Sequence, residues 1–303
     1  MAVWLVARQV DPAELAGVLA ATEPLFVALV LALYLVGQGM TAYRWYFIAH
    51  SVGFAHHLTE MTRYYFIGMF FNLFGPSTLG GDVVRGLYLG ERDGRRLIAL
   101  NTVLFDRLSG LAMLVAVAML ALAAFGRFDL PWSVVAITFA VGIGMAIGWF
   151  VIPPVVRRFL PPSSRIRVLI EKDLDSFWRD RGLLFRAAWV SAGFHVLQVL
   201  ALIVLGAAVG MDVDWRYYFI FHPLVTILSA LPISLAGLGI REMGYLWFLE
   251  RQGVDHATAV AFGLGWFVVL TASSLFGGLV YWVSGSGLPP VRSKPDSTET
   301  GPS

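Results

Sequence analysis

The sequence predicts an all-α polytopic membrane protein made of two inverted repeats, each with a Gly/Pro-broken re-entrant helical hairpin. Three observations carry that prediction. Hydrophobic residues fill 58% of the 303 positions and charged residues 14%, with a mean hydropathy of +0.73, whereas soluble domains carry about a quarter charged residues. The apolar residues gather in five runs, at 24–48, 97–125, 131–154, 183–211 and 257–283, each long enough for a bilayer core that takes about 20 residues to cross. The segment PSTLGGDVVR at 76–85 returns as PISLAGLGIR at 232–241, with Pro, Leu, Gly and Arg at the same offsets.

In chain order, repeat one occupies about 24–125 and repeat two about 183–283, joined by the span at 131–154. Asp129 ahead of Pro131 and Asp255 ahead of HATAVAF are expected helix N-caps. Within each repeat, between its two long spans, lie two apolar stretches too short to cross comfortably, hinged on Pro and Gly. Such stretches read as re-entrant or broken helices. Residues 164–180 place Ile166, Leu169, Ile170, Leu174 and Phe177 at helical spacing among arginines, the pattern of an amphipathic helix on the membrane surface. Residues 1–283 form one integral membrane domain, and 284–303, rich in Ser, Gly, Pro and Thr, read as a disordered tail. The opening MAVWLVARQVD does not read as a secretory signal. Its apolar AVWLVAR is expected to be the stub of a further helix.

Loop cations set the orientation. Placing 157–186 in the cytoplasm collects sixteen Lys and Arg on that side, Arg44 and Arg85 among them, against five outside. The C-terminus is then cytoplasmic, and a cytoplasmic (inner) membrane is the expected location. Each hairpin returns the chain to the side it left, so the first span runs inward and the fourth outward. The first hairpin opens to the cytoplasm and the second to the exterior. The flanking sequences support the duplication, since RYYFIG at 63–68 is echoed by RYYFIF at 216–221. Inverted repeats with Gly/Pro-interrupted helices in matching places point to alternating access around a midplane site.

The hairpin residues suit an anionic ligand. Glycines let backbone N–H groups approach it, a helix N-terminus after the break favours negative charge, and Arg85 and Arg241 offer forked donors. Alternatives stand beside these roles. Asp82 and Arg85, three apart, either neutralise each other or contact substrate. Asp106–Arg107 pair with the hairpin as structural glue or take part in coupling, and Glu242 either neutralises Arg241 or binds. Gly110, Gly142, Gly144, Gly148, Gly277 and Gly278 are expected at close helix contacts. His56, His57 and Glu60 are expected to form a polar cluster rather than a metal site, because adjacent helical side chains diverge by about 100°. His195 and His222 are expected to be hydrogen-bonded core residues, with a proton relay as the alternative. Cysteine is absent, which excludes thiolate metal sites and Cys nucleophiles. No nucleotide loop or zinc motif occurs, and no cofactor, metal or nucleic acid is expected.

The segments FNLFGPSTLGGDVVRGLYL, FDRLSGL and LPISLAGLGIREMG closely resemble the transmembrane region of lysylphosphatidylglycerol synthases and their stand-alone flippase-like relatives. The resemblance covers nearly the whole chain from the first span to the last. It implies movement of a lipid between leaflets, and not the aminoacyl transfer carried by a separate soluble domain of the full-length synthases. It directs attention to Asn72, Gly80, Gly81, Asp82 and Arg85, to Asp106 and Arg107, and to Pro232, Gly237, Gly239, Arg241 and Glu242, with Pro76 facing Pro232 in the repeat.

The function expected from these readings is a flippase, or transporter of a lipid-linked substrate, moving an anionic lipid. It is not expected to be an enzyme. Two alternatives belong to other classes: a non-transporting membrane partner of a glycosyltransferase or lipid synthase, and a membrane enzyme using Asp82 or Asp106 as general base.

Overall fold

The computed structural model describes residues 12–74, 80–91, 93–161, 164, 177, 180–230 and 239–285. Ten α-helices run through the described residues, with no strand among them: α1 Pro12–Ala21, α2 Pro24–Ser51, α3 Leu58–Phe74, α4 Gly80–Glu91, α5 Arg96–Phe125, α6 Trp132–Phe159, α7 Arg181–Ala208, α8 Trp215–Ala230, α9 Ile240–Glu250 and α10 His256–Val283. Five of them, α2, α5, α6, α7 and α10, are long and apolar enough to cross a membrane. They coincide with the five apolar runs, and the chain is a multi-pass membrane protein. Pro76, Pro232, Gly237, most of 164–180 and the tail beyond residue 285 lie outside the described residues.

Local chemistry accounts for the helix ends. The Asp255 carboxylate accepts the Thr258 N–H at 2.9 Å, as expected of an N-cap, and Asp180 accepts that of Leu183 at 2.9 Å to start α7. Asp129 is not a cap. Helix α6 begins behind Pro131 with no side-chain cap, and a pyrrolidine there already fixes a helix-compatible φ. The fourth span ends at Ala208, three residues before the hydropathy run does. Gly210, at φ +77°, adopts a backbone conformation that L side chains avoid and turns the chain out of the helix.

The short helices pair within each repeat. Helix α3 packs on α4 and α8 on α9. At 17 and 12 residues, α3 and α4 are about 25 and 18 Å long; at 16 and 11 residues, α8 and α9 are about 24 and 17 Å. The hydrocarbon core is about 30 Å thick.

The helix pairings repeat across the molecule. Exchange α2 for α7, α3 for α8, α4 for α9, α5 for α10 and α6 for α1, and the principal contacts map onto one another. The pairing of α3 with α10 becomes α8 with α5, that of α5 with α7 becomes α10 with α2, and that of α5 with α6 becomes α10 with α1. The α2–α7 pair maps onto itself and forms the most extensive contact in the molecule. Each short-helix pair thus leans on the last long helix of the other repeat.

Glycines permit the tightest of these contacts. A Cβ on Gly81 would overlap the Gly68 carbonyl across α3–α4, and one on Gly277 would overlap the Phe66 carbonyl across α3–α10. Gly278 abuts the Phe70 ring and Gly142 abuts Met119, as expected of packing glycines. Gly144 and Gly148 are not at helix contacts. Gly144 has open space around it, and Gly148 meets only Ile152 of its own helix. That face of α6 also presents Ile137, Val141, Ile147 and Phe150 outward, as a lipid-facing surface does. The largest apolar core belongs mainly to repeat two and its contacts with α2, with Tyr217, Phe221, Tyr245, Phe248 and Phe262 at its centre.

Candidate functional site

Asp106 in the first third of α5 is the hub of a buried charge cluster. Its Oδ1 accepts Nε–H of Arg44 at 2.7 Å from α2, and its Oδ2 accepts Nη2–H of Arg85 at 3.1 Å from α4. Arg85 also donates from Nε to Asp82 Oδ1 at 3.1 Å, one helical turn back, and Asp82 pairs through its other oxygen with Arg107. Arg44 reaches the third long helix of the site, donating from Nη1 to Ser191 Oγ of α7 at 2.6 Å. Four helices from both repeats therefore meet at these side chains.

Arg44 and Arg85 share Asp106, and Arg85 and Arg107 share Asp82, so Arg85 bridges both carboxylates. Exposure grades outward: the Arg44 and Arg85 side chains are each 5% exposed and that of Arg107 is 35% exposed. The Arg85 guanidinium lies 4.9 Å from the ring centres of both Trp45 and Tyr65, cation–π contacts that hold it without neutralising it. Its Nη1 is buried and has no hydrogen-bond partner among the described residues. An unused donor on a buried guanidinium is the arrangement that accepts an anion.

The expected hairpin residues gather at this cluster. Asn72 Oδ1 accepts the Gly81 N–H at 2.8 Å and ties the end of α3 to the start of α4. Gly80 opens α4, which puts Asp82 in its first turn, where the helix dipole favours a carboxylate. Asp82 and Arg85 do pair, and Asp106 and Arg107 do join the hairpin.

In repeat two, Arg241 donates to Glu242 Oε1 from Nε at 3.2 Å and from Nη2 at 2.7 Å. Glu242 Oε2 accepts the Gly239 N–H at 2.6 Å at the head of α9, where Gly239 has φ +89°. The pair is neutral and local, and it stands apart from the Asp106 cluster in the hydrogen-bond network. Next to it, His222 binds Tyr245 Oη at 3.1 Å through Nδ1 and Gln198 Oε1 at 3.4 Å through Nε2. With the amide oxygen accepting, Nε2 carries the proton and Nδ1 accepts from the tyrosine. Tyr34 of α2 interacts electrostatically with Tyr65 on one side and Arg241 on the other, so polar side chains bridge the two sites along α2.

Sequence reading missed Arg44, counting it among loop cations although it lies inside the first apolar run. A charge inside a span was the available signal. Ser191, Trp45, Tyr65 and Gln38 carried no signal, being ordinary residues until their neighbours are known. His56 and His57 behave as a polar cluster. His56 Nδ1 lies 3.5 Å from Glu60 Oε2 and its Nε2 3.9 Å from Asp93 Oδ2, while His57 uses only its backbone N–H on Glu60. No group of three or more His, Asp or Glu side chains able to hold a metal occurs among the described residues. A cleft of about 460 Å³ opens elsewhere, between α1 and the ends of α2 and α7, lined by Gly17, Val18, Glu23, Phe26 and Val209. It offers one carboxylate and no cation to an anionic ligand.

The chain matches the family described as the lysylphosphatidylglycerol synthase transmembrane region over residues 1–278. It is similar to Glycosyltransferase AglD of Haloferax volcanii, 24% identical over a 326-residue alignment that covers 92% of this chain and 52% of that protein. The chain thus spans about half the length of that relative. It is also similar to UPF0104 membrane protein MJ1078 of Methanocaldococcus jannaschii, 22% identical over 227 residues, covering 71% of this chain and 94% of that one. No solved structure matches the chain.

Proposed function

We propose, from the premise that this chain belongs to the lysylphosphatidylglycerol synthase transmembrane-region family, that it moves an anionic lipid between leaflets by alternating access. The carrying observation is the Arg44–Asp106–Arg85–Asp82–Arg107 cluster, in which the buried Nη1 of Arg85 is unused. A phosphate head group would take that donor. Arg107, the most exposed of the three arginines, is the first the head group would meet.

The exchange symmetry of the helix pairings supports the inverted-repeat reading. Between α2 and its counterpart α7 the chain makes one hairpin and crosses in α5 and α6, so the two counterparts run in opposite directions whether the hairpin re-enters or spans twice. The shortness of α3, α4, α8 and α9 favours re-entry. In this reading Arg85 serves the cytoplasmic side and Arg241, with Gly237 and Gly239, the opposite one. The protein sits in the cytoplasmic membrane with its C-terminus inside. Two of the cations used to orient it, Arg44 and Arg85, are buried; without them the bias keeps its sign.

The test is leaflet exchange of NBD-labelled phosphatidylglycerol in phosphatidylcholine vesicles, read by dithionite quenching. Arg85→Ala is expected to abolish exchange and Arg241→Ala to reduce it, with Arg85→Lys keeping the charge as a folding control. Undiminished exchange in both alanine variants would overturn the proposal. A second reading, a membrane partner for a glycosyltransferase, is favoured by the name and double length of the Haloferax volcanii relative. Co-purification with such an enzyme and no exchange activity alone would establish it instead.

A further inference from the structure

His195 of α7 stands directly behind the charge cluster and takes no part in the binding described so far. Its ring is buried, 4% exposed, and Nε2 donates to the Gly110 carbonyl of α5 at 3.1 Å. The other ring nitrogen, Nδ1, is buried with no hydrogen-bond partner among the described residues. Gly110 is also the surface on which Arg44 lies, for a Cβ there would stand 3.1 and 3.2 Å from the two terminal nitrogens of that guanidinium. Ser191, which accepts from Arg44, precedes His195 by one turn on the same face of α7. One glycine and one helical turn therefore join the imidazole to the guanidinium.

The surroundings of His195 decide what a proton on Nδ1 would do. Helix α2 presents Arg44, which acts on the ring electrostatically. Helix α5 presents Asp106, one turn before Gly110 and already shared between two arginines. Helix α8 presents His222, which itself feels Arg241. The body of α10 carries no charged side chain. No unpaired carboxylate adjoins the ring among the described residues, so an imidazolium would add a positive charge beside Arg44. That charge is unfavourable in the empty site and favourable once an anion is bound.

We infer that His195 is a proton site linked to the arginine cluster, taking up a proton at Nδ1 as an anionic head group enters beside Arg44 and Arg85. The inference rests on the anion-site reading above and adds its coupling. Linkage is reciprocal: if the anion favours the proton, the proton favours the anion by the same factor. A proton gradient could then drive a carrier that has no nucleotide motif, with the proton travelling on the imidazole and the anion on the guanidinium groups.

The test is the affinity of NBD-phosphatidylglycerol for the protein in phosphatidylcholine nanodiscs, read by energy transfer from tryptophan between pH 7.5 and 5.5. The wild type is expected to bind about tenfold more tightly at the acid end, and NBD-phosphatidylcholine is expected to show no such trend. His195→Gln keeps a donor for Gly110, and is expected to bind with no dependence on pH; His195→Asn serves if that variant does not fold. His222→Gln is expected to retain the wild-type trend. A pH trend that survives in His195→Gln, or binding that ignores pH in the wild type, overturns the linkage and leaves the anion site standing. No binding of the labelled phosphatidylglycerol at either pH overturns both.

Discussion

Two related decapeptides, 76–85 and 232–241, each end in an arginine, and the two arginines are restrained differently. Arg85 is held by two carboxylates, one on its own helix and one on α5, with Arg44 completing the set from α2. Arg241 is held by its chain neighbour Glu242, which also ties down the Gly239 N–H. One restraint is tertiary and leaves a donor over; the other is local and closes on itself. Equal sequence positions therefore do not imply equal restraint, and Arg85 keeps a buried donor unused.

The largest expected effect comes from breaking the hub. Asp106→Ala leaves Arg44 without its ion pair and Arg85 with only Asp82, and breaking a buried pair costs about 3–5 kcal/mol. Glu242→Ala frees one arginine and one N–H, worth about 1–3 kcal/mol. Thermal unfolding of both variants in the same detergent reads the difference, and equal losses would remove the distinction between the repeats. The next effect is steric. Gly81→Ala drives a methyl into the Gly68 backbone and is expected to cost about 3 kcal/mol. Gly244→Ala, at the matching α8–α9 contact, meets only two methyls of Val225 at 3.1 Å. The gain of about 1 kcal/mol in helix propensity offsets most of that crowding, so the melting temperature should barely move.

The smallest effect lies at the helix starts, where the repeats differ again. Helices α7 and α10 of repeat two are capped by Asp180 and Asp255, whereas α2 and α5 begin at Glu23 and Arg95 with no side-chain cap. Asp180→Ala and Asp255→Ala are each expected to cost about 1 kcal/mol. The Thr258 N–H holds the Asp255 carboxyl below the ordinary carboxylate value. Its contribution is therefore full above that ordinary value and is lost as pH falls through the depressed one. The gap in melting temperature between wild type and Asp255→Ala should persist at pH 7 and close only as pH falls below the ordinary carboxylate value.

Much of the fold was legible because hydropathy is a local, summed property. Twenty apolar residues in a row announce a span whatever they pack against, and a repeated decapeptide needs no structure to be seen. The Asp82–Arg85 pair was legible for the same reason, three residues apart on one helix. Arg44 was not, since a single charge scarcely alters the mean of a 28-residue helix, and its partners lie 62 and 147 positions away. Asp129 failed as a cap because a proline two residues on had already set the backbone. Gly144 and Gly148 failed as packing residues because spacing cannot say which face of a helix meets lipid.

The exchange of partners between repeats has a bearing on biogenesis. The face of α3 that carries Phe66 and Phe70 is closed by Gly277 and Gly278 of α10, which is synthesised well after it. Helix α3 is therefore made long before that neighbour exists, and holds an unfinished seam while α5 to α10 are still being made. Truncation anywhere before α10 strands that seam. The quality of α10 thus determines whether α3 ever gains its permanent neighbour.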